Sequence, residues 1–207
     1  MQTRFKTPRP RRFAVALAGV LALRCAACCA AVAIVQGTVG GVSSDAVSSS
    51  ASAVPSVYAG ATVCFDLNGN GVCDPGEPAT TSSATGRFKL SSPALAPLIA
   101  QIGSPATNNG HAIGNRYVFR ANVAQIQAAT RNPMLAATVN LTPLSTEMAL
   151  AIENQGLTAK AAVAHLAQRL GVASTNVLLA PTQVTHAAEQ AAIVKASVIA
   201  QGRLVAQ

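Results

Sequence analysis

The chain has 207 residues, of which 50% are hydrophobic, 3% aromatic and 11% charged. Charged residues make up about 25% of an ordinary soluble domain, so this composition excludes an acidic disordered chain and a coiled coil. The shortage of aromatic side chains excludes a module that binds RNA by base stacking. The formal net charge of +8 is concentrated at the start, because six of the fifteen Lys and Arg residues lie in residues 1–24 and all seven acids follow. The rest of the chain has nine cations against seven acids, and we expect no nucleic-acid partner.

Residues 1–33 have the organisation of a bacterial-type secretory signal. Residues 1–12 are basic and rich in Pro, 13–23 are uninterruptedly apolar, and a tract of small residues follows Arg24. A basic region, an apolar region of about 7–15 residues and a small-x-small exit are typical of such signals. Cleavage after Ala33 fits this rule. We therefore predict a secreted or cell-envelope protein (extracellular, periplasmic or at the outer-membrane surface) whose mature chain begins near Ile34.

Two alternatives for this segment stay open. Cys28 follows Ala26-Ala27, which suits a lipoprotein anchor, although Cys25 occupies the position where Leu is usual. A retained membrane helix would have to continue from residue 13 through Val35, because the apolar stretch 13–23 alone is shorter than the roughly 20 residues that a bilayer requires. Arg24 would then lie mid-span at a cost of about 2.5–3.5 kcal/mol. Membrane contact is thus expected only through the signal or a lipid anchor.

Residues 34–56 form a Gly/Ser/Ala/Val tract with one charge and are predicted to be a flexible linker. From Val57 the pattern changes to that of β-strands, and residues 57–141 are predicted to form a β module. Gly86 suits the turn of a hairpin, and residues 103–115 are predicted to be a loop. The predicted strands cover residues 57–65, 80–83, 87–90, 117–121 and 136–141.

Residues 142–207 are predicted to be helical, so the fold class is α+β. Thr142 offers an N-cap hydroxyl and Pro143 a first helical position, and this helix is predicted to end at Gly156. A second helix begins after Thr158 and ends at Gly171, so the pair forms an antiparallel hairpin. The third predicted helix runs from about Thr182 to Leu204.

Residues 66–77 (DLNGNGVCDPGE) fit the calcium-loop pattern D-x-[DN]-x-[DN]-G-x5-E at every specified position. Ca²⁺ takes six to eight hard oxygen ligands, and Gly71 permits the sharp turn at the sixth position. The alternative is an Asn-Gly-rich turn that never binds metal. A strand precedes the loop, and Pro75 and Pro78 oppose a helix after it, so we expect a calcium loop inserted in β structure. The predicted ligands are Asp66, Asn68, Asn70, the Val72 carbonyl, Asp74 and Glu77.

Cys64 and Cys73 are the two cysteines that follow the signal region. In an oxidising compartment, two cysteines that bracket a tight loop usually pair. The alternative is a soft-metal or redox pair, but the spacing is not C-x-x-C and no His is near. The sequence therefore favours a disulfide.

The segment from Gly60 to Pro78, with Thr80-Thr81 and Thr85–Leu90, resembles the SD-repeat B-type modules of bacterial surface adhesins. Those modules are related in shape to transthyretin-like β-sandwiches. The resemblance covers residues 57–91, roughly a sixth of the chain. It implies a small calcium-clipped, sandwich-like fold with metal ligands at Asp66, Asn68, Asn70, Asp74 and Glu77. The acid that such modules usually carry near Thr81–Ser83 is absent here.

No catalytic motif stands out in the sequence. Ser145 has no G-x-S-x-G elbow, and its place in the first turn of a predicted helix favours capping. His165 is predicted to lie at the edge of an apolar helix face. We therefore expect a non-catalytic, exported calcium-binding module of structural or adhesive type, with Ca²⁺ as its cofactor and an unknown cell-surface or extracellular ligand as its partner. The alternatives are the accessory N-terminal part of a secreted hydrolase whose catalytic domain is absent from this chain, or an envelope lipoprotein.

Overall fold

The computed structural model describes residues 32–43, 53–132 and 135–205 and has mixed α+β content. The predicted signal segment, with Cys28, lies almost entirely outside the described residues. The strands in the described part are β1 (Ala33–Thr38), β2 (Gly40–Val42), β3 (Pro55–Ala59), β4 (Thr62–Phe65), β5 (Ala79–Thr81), β6 (Arg87–Ser92), β7 (Leu98–Ile102), β8 (Thr107–Asn108), β9 (His111–Ala112), β10 (Tyr117–Ala121) and β11 (Ala137–Thr138). The α-helices are α1 (Val123–Ala129), α2 (Pro143–Gln155), α3 (Ala159–Leu170) and α4 (Ala187–Val205).

The described strands form three sheets. One has the order β11-β1-β6, the second β10-β7-β4-β5 and the third β2-β3-β8-β9. The pairing of β1 with β11 is parallel, and the other strand pairs are antiparallel. One apolar cluster joins residues of the first two sheets, among them Val35, Phe88, Val63, Leu98 and Phe119. These sheets therefore share a core.

The prediction of a flexible linker over 34–56 is wrong for its first part, because this stretch forms most of β1 and all of β2. β1 pairs along its whole length with β6, and Val39 and Val42 are fully buried. The glycines here serve close packing rather than flexibility. A Cβ on Gly37 would stand 1.9 Å from the carbonyl oxygen of Val139, and one on Gly40 would stand 2.8 Å from the Cβ of Ala180. Residues 44–52 of the predicted linker lie outside the described residues.

The predicted hairpin between residues 80 and 90 is wrong in its pairing, although the chain turns where expected. The Gly86 N–H donates to the Ser83 carbonyl at 2.8 Å, but β5 pairs with β4 whereas β6 pairs with β1. Ser82 follows β5 at the point of separation. Its buried hydroxyl accepts from the Ala61 N–H at 2.9 Å and donates to the Tyr58 carbonyl at 2.7 Å, which connects the chain here to the turn between β3 and β4.

Other strand predictions need correction as well. The predicted strand 57–65 is two strands of different sheets, divided at Gly60, which has a φ of 75°. The stretch 136–141 contributes the two-residue β11 and an isolated bridge from Leu141 to Val39. The predicted loop 103–115 contains the short pair β8 and β9, and β7 and α1 were not predicted. The predicted strand 117–121 is confirmed as β10.

The predicted helical hairpin is confirmed as α2 and α3. The Thr142 and Thr158 hydroxyls accept from the N–H groups of Ser145 and Ala161, and Gly156 and Gly171 end the helices in the left-handed conformation. The third helix begins at Ala187 rather than near Thr182, because residues 181–183 form a 3₁₀ turn. A second apolar cluster, with Leu144, Met148, Leu166 and Ile193, holds the helices together. Among the described residues, no helix is both long and apolar enough to cross a bilayer.

Candidate functional site

The loop 66–77 begins at the end of β4, and its two ends are held together by paired strands. Cys64 lies opposite Ala79 in the antiparallel register of β4 and β5. Beyond that pair, the Phe65 N–H donates to the Pro78 carbonyl at 3.0 Å. The loop therefore connects two paired antiparallel strands, which agrees with the prediction of a loop inserted in β structure.

A disulfide joins Cys64 to Cys73, with 5.7 Å between their Cα atoms. This confirms the predicted pairing of the two cysteines. Cys64 is fully buried in β4, so the bond ties the middle of the loop to a fixed strand. The residues between the two sulfurs include Asp66, Asn68 and Asn70, whose backbone freedom is reduced by the cross-link.

Asp66 is buried, with 2% of its surface exposed, and its carboxylate faces back into the loop. One carboxylate oxygen accepts from the Asn70 N–H at 3.0 Å and the other from the Gly71 N–H at 2.9 Å. Gly71 has a φ of 77°, which a residue with a Cβ adopts only under strain. This turn lets two successive N–H groups point at one carboxylate.

Glu77 spans the loop from its far end. One carboxylate oxygen accepts from the Leu67 N–H at 2.7 Å and the other from the Asp74 N–H at 3.1 Å. Both oxygens are thereby fixed inside the loop, and each retains lone pairs for a further partner. Glu77 thus joins the end of the loop to its first turn and to Asp74.

Asp74 is connected to both asparagines of the pattern. One of its carboxylate oxygens accepts from the Asn68 amide at 2.7 Å and from the Asn70 amide at 2.6 Å. These two donors stabilise the ionised form and lower the pKa of Asp74 below its usual value. The amide oxygens face backbone groups instead, since that of Asn68 accepts from the Asn70 N–H and that of Asn70 from the Val72 N–H.

The structure thus brings the predicted ligand residues into one network of hydrogen bonds. Val72 joins the network through its backbone N–H. Its apolar side chain is exposed, and its predicted contribution to a metal site is its carbonyl. Among the described residues, no group of three or more His, Cys, Asp or Glu side chains is arranged to hold a metal ion. The acids are engaged with N–H donors of the loop, which the sequence pattern did not predict. The sequence signal for the underlying backbone turns was the three glycines at 69, 71 and 76, all of which have positive φ.

The other polar residues considered from the sequence lie elsewhere and have structural partners or exposed positions. Ser145 forms the predicted cap, because its hydroxyl accepts from the Thr142 N–H at 2.9 Å and donates to the Arg120 carbonyl at 3.0 Å. His165 is exposed on α3, next to the buried Leu166. Neither residue takes part in the loop network.

The chain matches no protein-family model, no curated protein and no solved structure. The resemblance to adhesin modules therefore depends on residues 57–91 alone.

Proposed function

We propose that this chain is an exported, non-catalytic calcium-binding module of structural or adhesive type at the bacterial cell envelope or surface. In this proposal, Ca²⁺ binds in the loop 66–77 and fastens it to the sheet formed by β4 and β5. The proposed ligands are the side chains of Asp66, Asn68, Asn70, Asp74 and Glu77 and the carbonyl of Val72.

The observation that carries the proposal is the uncompensated charge of the loop. It contains three carboxylates, those of Asp66, Asp74 and Glu77, and no Lys or Arg. The described residues form two ion pairs, Arg120–Glu153 and Arg169–Glu147, and neither involves the loop. Each carboxylate is hydrogen-bonded only to N–H groups of the loop, and a divalent cation would supply the positive charge that the loop lacks.

The donor set also fits calcium in its chemistry. Ca²⁺ prefers carboxylate, carbonyl and amide oxygens, and these are the groups that the loop contains. The Asn68 and Asn70 amides each carry an oxygen and an NH₂ group on one carbon. They donate to Asp74 here, while their oxygens accept from backbone N–H groups of the loop, so calcium binding would require these side chains to turn their oxygens toward the metal. Binding would thus exchange amide donors for a cation as the counter-charge of Asp74.

The proposal also includes the way in which two of the sheets pack. We infer that the sheets containing β6 and β4 form a sandwich-like module, since apolar residues of both enter one core. A metal clip at the end of such a module stabilises the arrangement of a loop rather than activating a substrate. The buried face of the loop, marked by Asp66, supports this structural role.

Calorimetric titration of the purified chain with CaCl₂ tests the proposal. Extracellular calcium modules bind with a dissociation constant of about 0.1–1 mM, and we expect one site in this range. Glu77→Gln should abolish the binding heat, because it removes one of the anionic oxygens of the closing ligand while keeping the size of the side chain. Glu153→Gln, which alters an exposed Glu outside the loop, is the matched control and should bind like the parent.

Two results would contradict the proposal. One is the absence of calcium binding to the parent chain at millimolar concentrations. The other is equal binding by the parent and Glu77→Gln, which would place the metal elsewhere.

A further inference from the structure

A cavity of about 370 Å³ opens at the junction of α1, α2, α3 and β11, close to the 3₁₀ turn Asn176–Leu178. It is well away in sequence from the loop 66–77, and it has the size of small-molecule sites, which occupy about 300–1,000 Å³. Its walls are made largely of apolar side chains. These apolar side chains include Ala128, Val139, Met148, Val163, Ala164 and Val177.

Two amide side chains at the cavity wall, those of Gln125 and Asn140, are already hydrogen-bonded within the protein. Gln125 accepts from the Asn122 N–H at 2.8 Å and donates to the Ser145 carbonyl at 3.1 Å. Asn140 accepts from the Thr38 N–H at 3.0 Å and donates to the Leu178 carbonyl at 2.9 Å. A ligand therefore meets a mainly apolar wall, in which these amides have used their main donors and acceptors and the exposed residues Thr138 and Ser174 contribute hydroxyls.

One charged side chain stands at this cavity. Of the described residues that line it, only Lys160 is charged, and no acid is among them. Lys160 is exposed in the first turn of α3, and neither ion pair of the described residues involves it. Within the part of the chain that the structure describes, its ammonium group therefore has no carboxylate partner, and it lines a mainly apolar cavity.

We propose that the cavity binds an amphipathic monoanion, whose apolar chain fills the cavity and whose carboxylate pairs with Lys160. The apolar wall accounts for the binding energy, since removal of apolar surface from water is the main driving force. Lys160 accounts for the preference for an anion over a neutral or cationic amphiphile. This site is independent of the proposed calcium loop.

Calorimetric titration of the full chain with sodium dodecanoate, kept below its micelle concentration, tests the proposal. We expect saturable binding of one dodecanoate, and weaker binding of dodecyltrimethylammonium, which has the same chain and the opposite charge. Lys160→Gln should weaken dodecanoate binding about three- to fivefold, the effect of losing one partly solvated ion pair. Lys195→Gln, at an exposed lysine of α4 outside the cavity, is the matched control and should bind like the parent.

A second pair of variants assigns binding to the cavity rather than to the apolar stretch 13–23, which could itself hold a fatty acid. Ala164→Phe directs an aromatic ring into the cavity and should abolish saturable binding. Ala161→Phe makes the same change at an exposed position of α3 that does not line the cavity, and it should bind normally. Thermal melting of both variants checks that they fold. If Ala164→Phe fails to fold, the comparison of Lys160→Gln with Lys195→Gln decides.

Three results would overturn the proposal. They are no saturable dodecanoate binding by the parent, equal affinity for the cationic amphiphile, and undiminished binding by folded Ala164→Phe.

Discussion

Glycine has two different roles in this chain, and a residue-by-residue reading of the sequence does not separate them. Gly71 supplies a turn with positive φ that points backbone N–H groups at Asp66. Gly37 instead lies in an extended strand, where the Val139 carbonyl passes so close that a side chain would collide with it. The first role is set by neighbours in sequence. The second depends on a residue about a hundred positions away, which is why the stretch 34–42 suggested a linker.

Gly37→Ala should therefore destabilise the protein strongly. The added methyl group meets backbone rather than a flexible side chain, and overpacking of this kind costs about 1–3 kcal/mol. Gly114→Ala is the matched control, because a Cβ at Gly114 has no atom within 4 Å and its φ is not positive. Urea unfolding should show a lower free energy of unfolding for Gly37→Ala and a change within about 0.5 kcal/mol for Gly114→Ala. Equal stability of the two variants would mean that β1 is not packed as described.

At the scale of elements, the helices α2 and α3 were predicted closely, whereas α1 and the strand pairings were not. A helix such as α2 is fixed by local signals, here the hydroxyl of Thr142 and the glycine at 156. Strand pairing is non-local, so the turn before Arg87 could be predicted while the partner of β6 could not. The partner is β1, which precedes β6 by about fifty residues and was not recognised as a strand.

The candidate site was likewise predicted in part. The residue types and spacing of the loop were sufficient to predict its position at the end of a strand and the Cys64–Cys73 pair. They were not sufficient to predict that Glu77 would accept from the Leu67 and Asp74 N–H groups. Such contacts depend on the backbone conformation of the loop, which the disulfide and the glycines set together. The cavity beside Lys160 was also not predicted, since it arises from the packing of elements distant in sequence.

The disulfide is the element-scale feature whose removal should be most costly. Closing a loop of about ten residues stabilises the folded state by about 2.5–3 kcal/mol on the chain-entropy model. Cys64→Ala/Cys73→Ala should lower the free energy of unfolding by about this amount in urea, and it should also weaken calcium binding because the loop is less preorganised. Alkylation of the unreduced exported protein should label neither cysteine. Labelling of both in native material would contradict the pairing.

At the scale of the whole molecule, the predicted signal segment 1–33 ends where the first described strand, β1, begins. Cleavage after Ala33 would leave Ile34–Thr38 to pair with β6, with Val35 buried in the shared core. A cleavage site several residues later would remove the strand that lies between β6 and β11. We therefore predict a mature chain that begins near Ile34 in an extracytoplasmic fraction. Intact-mass measurement checks this, and a chain with its Met1 in the cytoplasmic fraction would contradict both the predicted export and the oxidising compartment.

Calcium should act on the whole molecule as a modest stabiliser rather than as a requirement for folding. With about 1 mM calcium and a dissociation constant near 0.1 mM, binding would add about 1.4 kcal/mol. That is small against a total stability of about 5–15 kcal/mol, and two apolar clusters and the disulfide remain without metal. The protein should stay folded in EDTA and melt about 3–5 °C lower than in calcium.

The Glu77→Gln variant makes this melting experiment specific to the loop. Because Glu77 also accepts two backbone N–H bonds, this variant should lose about 1 kcal/mol even in EDTA. The decisive quantity is therefore the difference in Tm between calcium and EDTA, which should vanish in Glu77→Gln and persist in Glu153→Gln. If all three proteins show the same difference, calcium stabilises a site other than the loop. If the parent unfolds in EDTA at room temperature, the metal organises the core itself and is more than a clip.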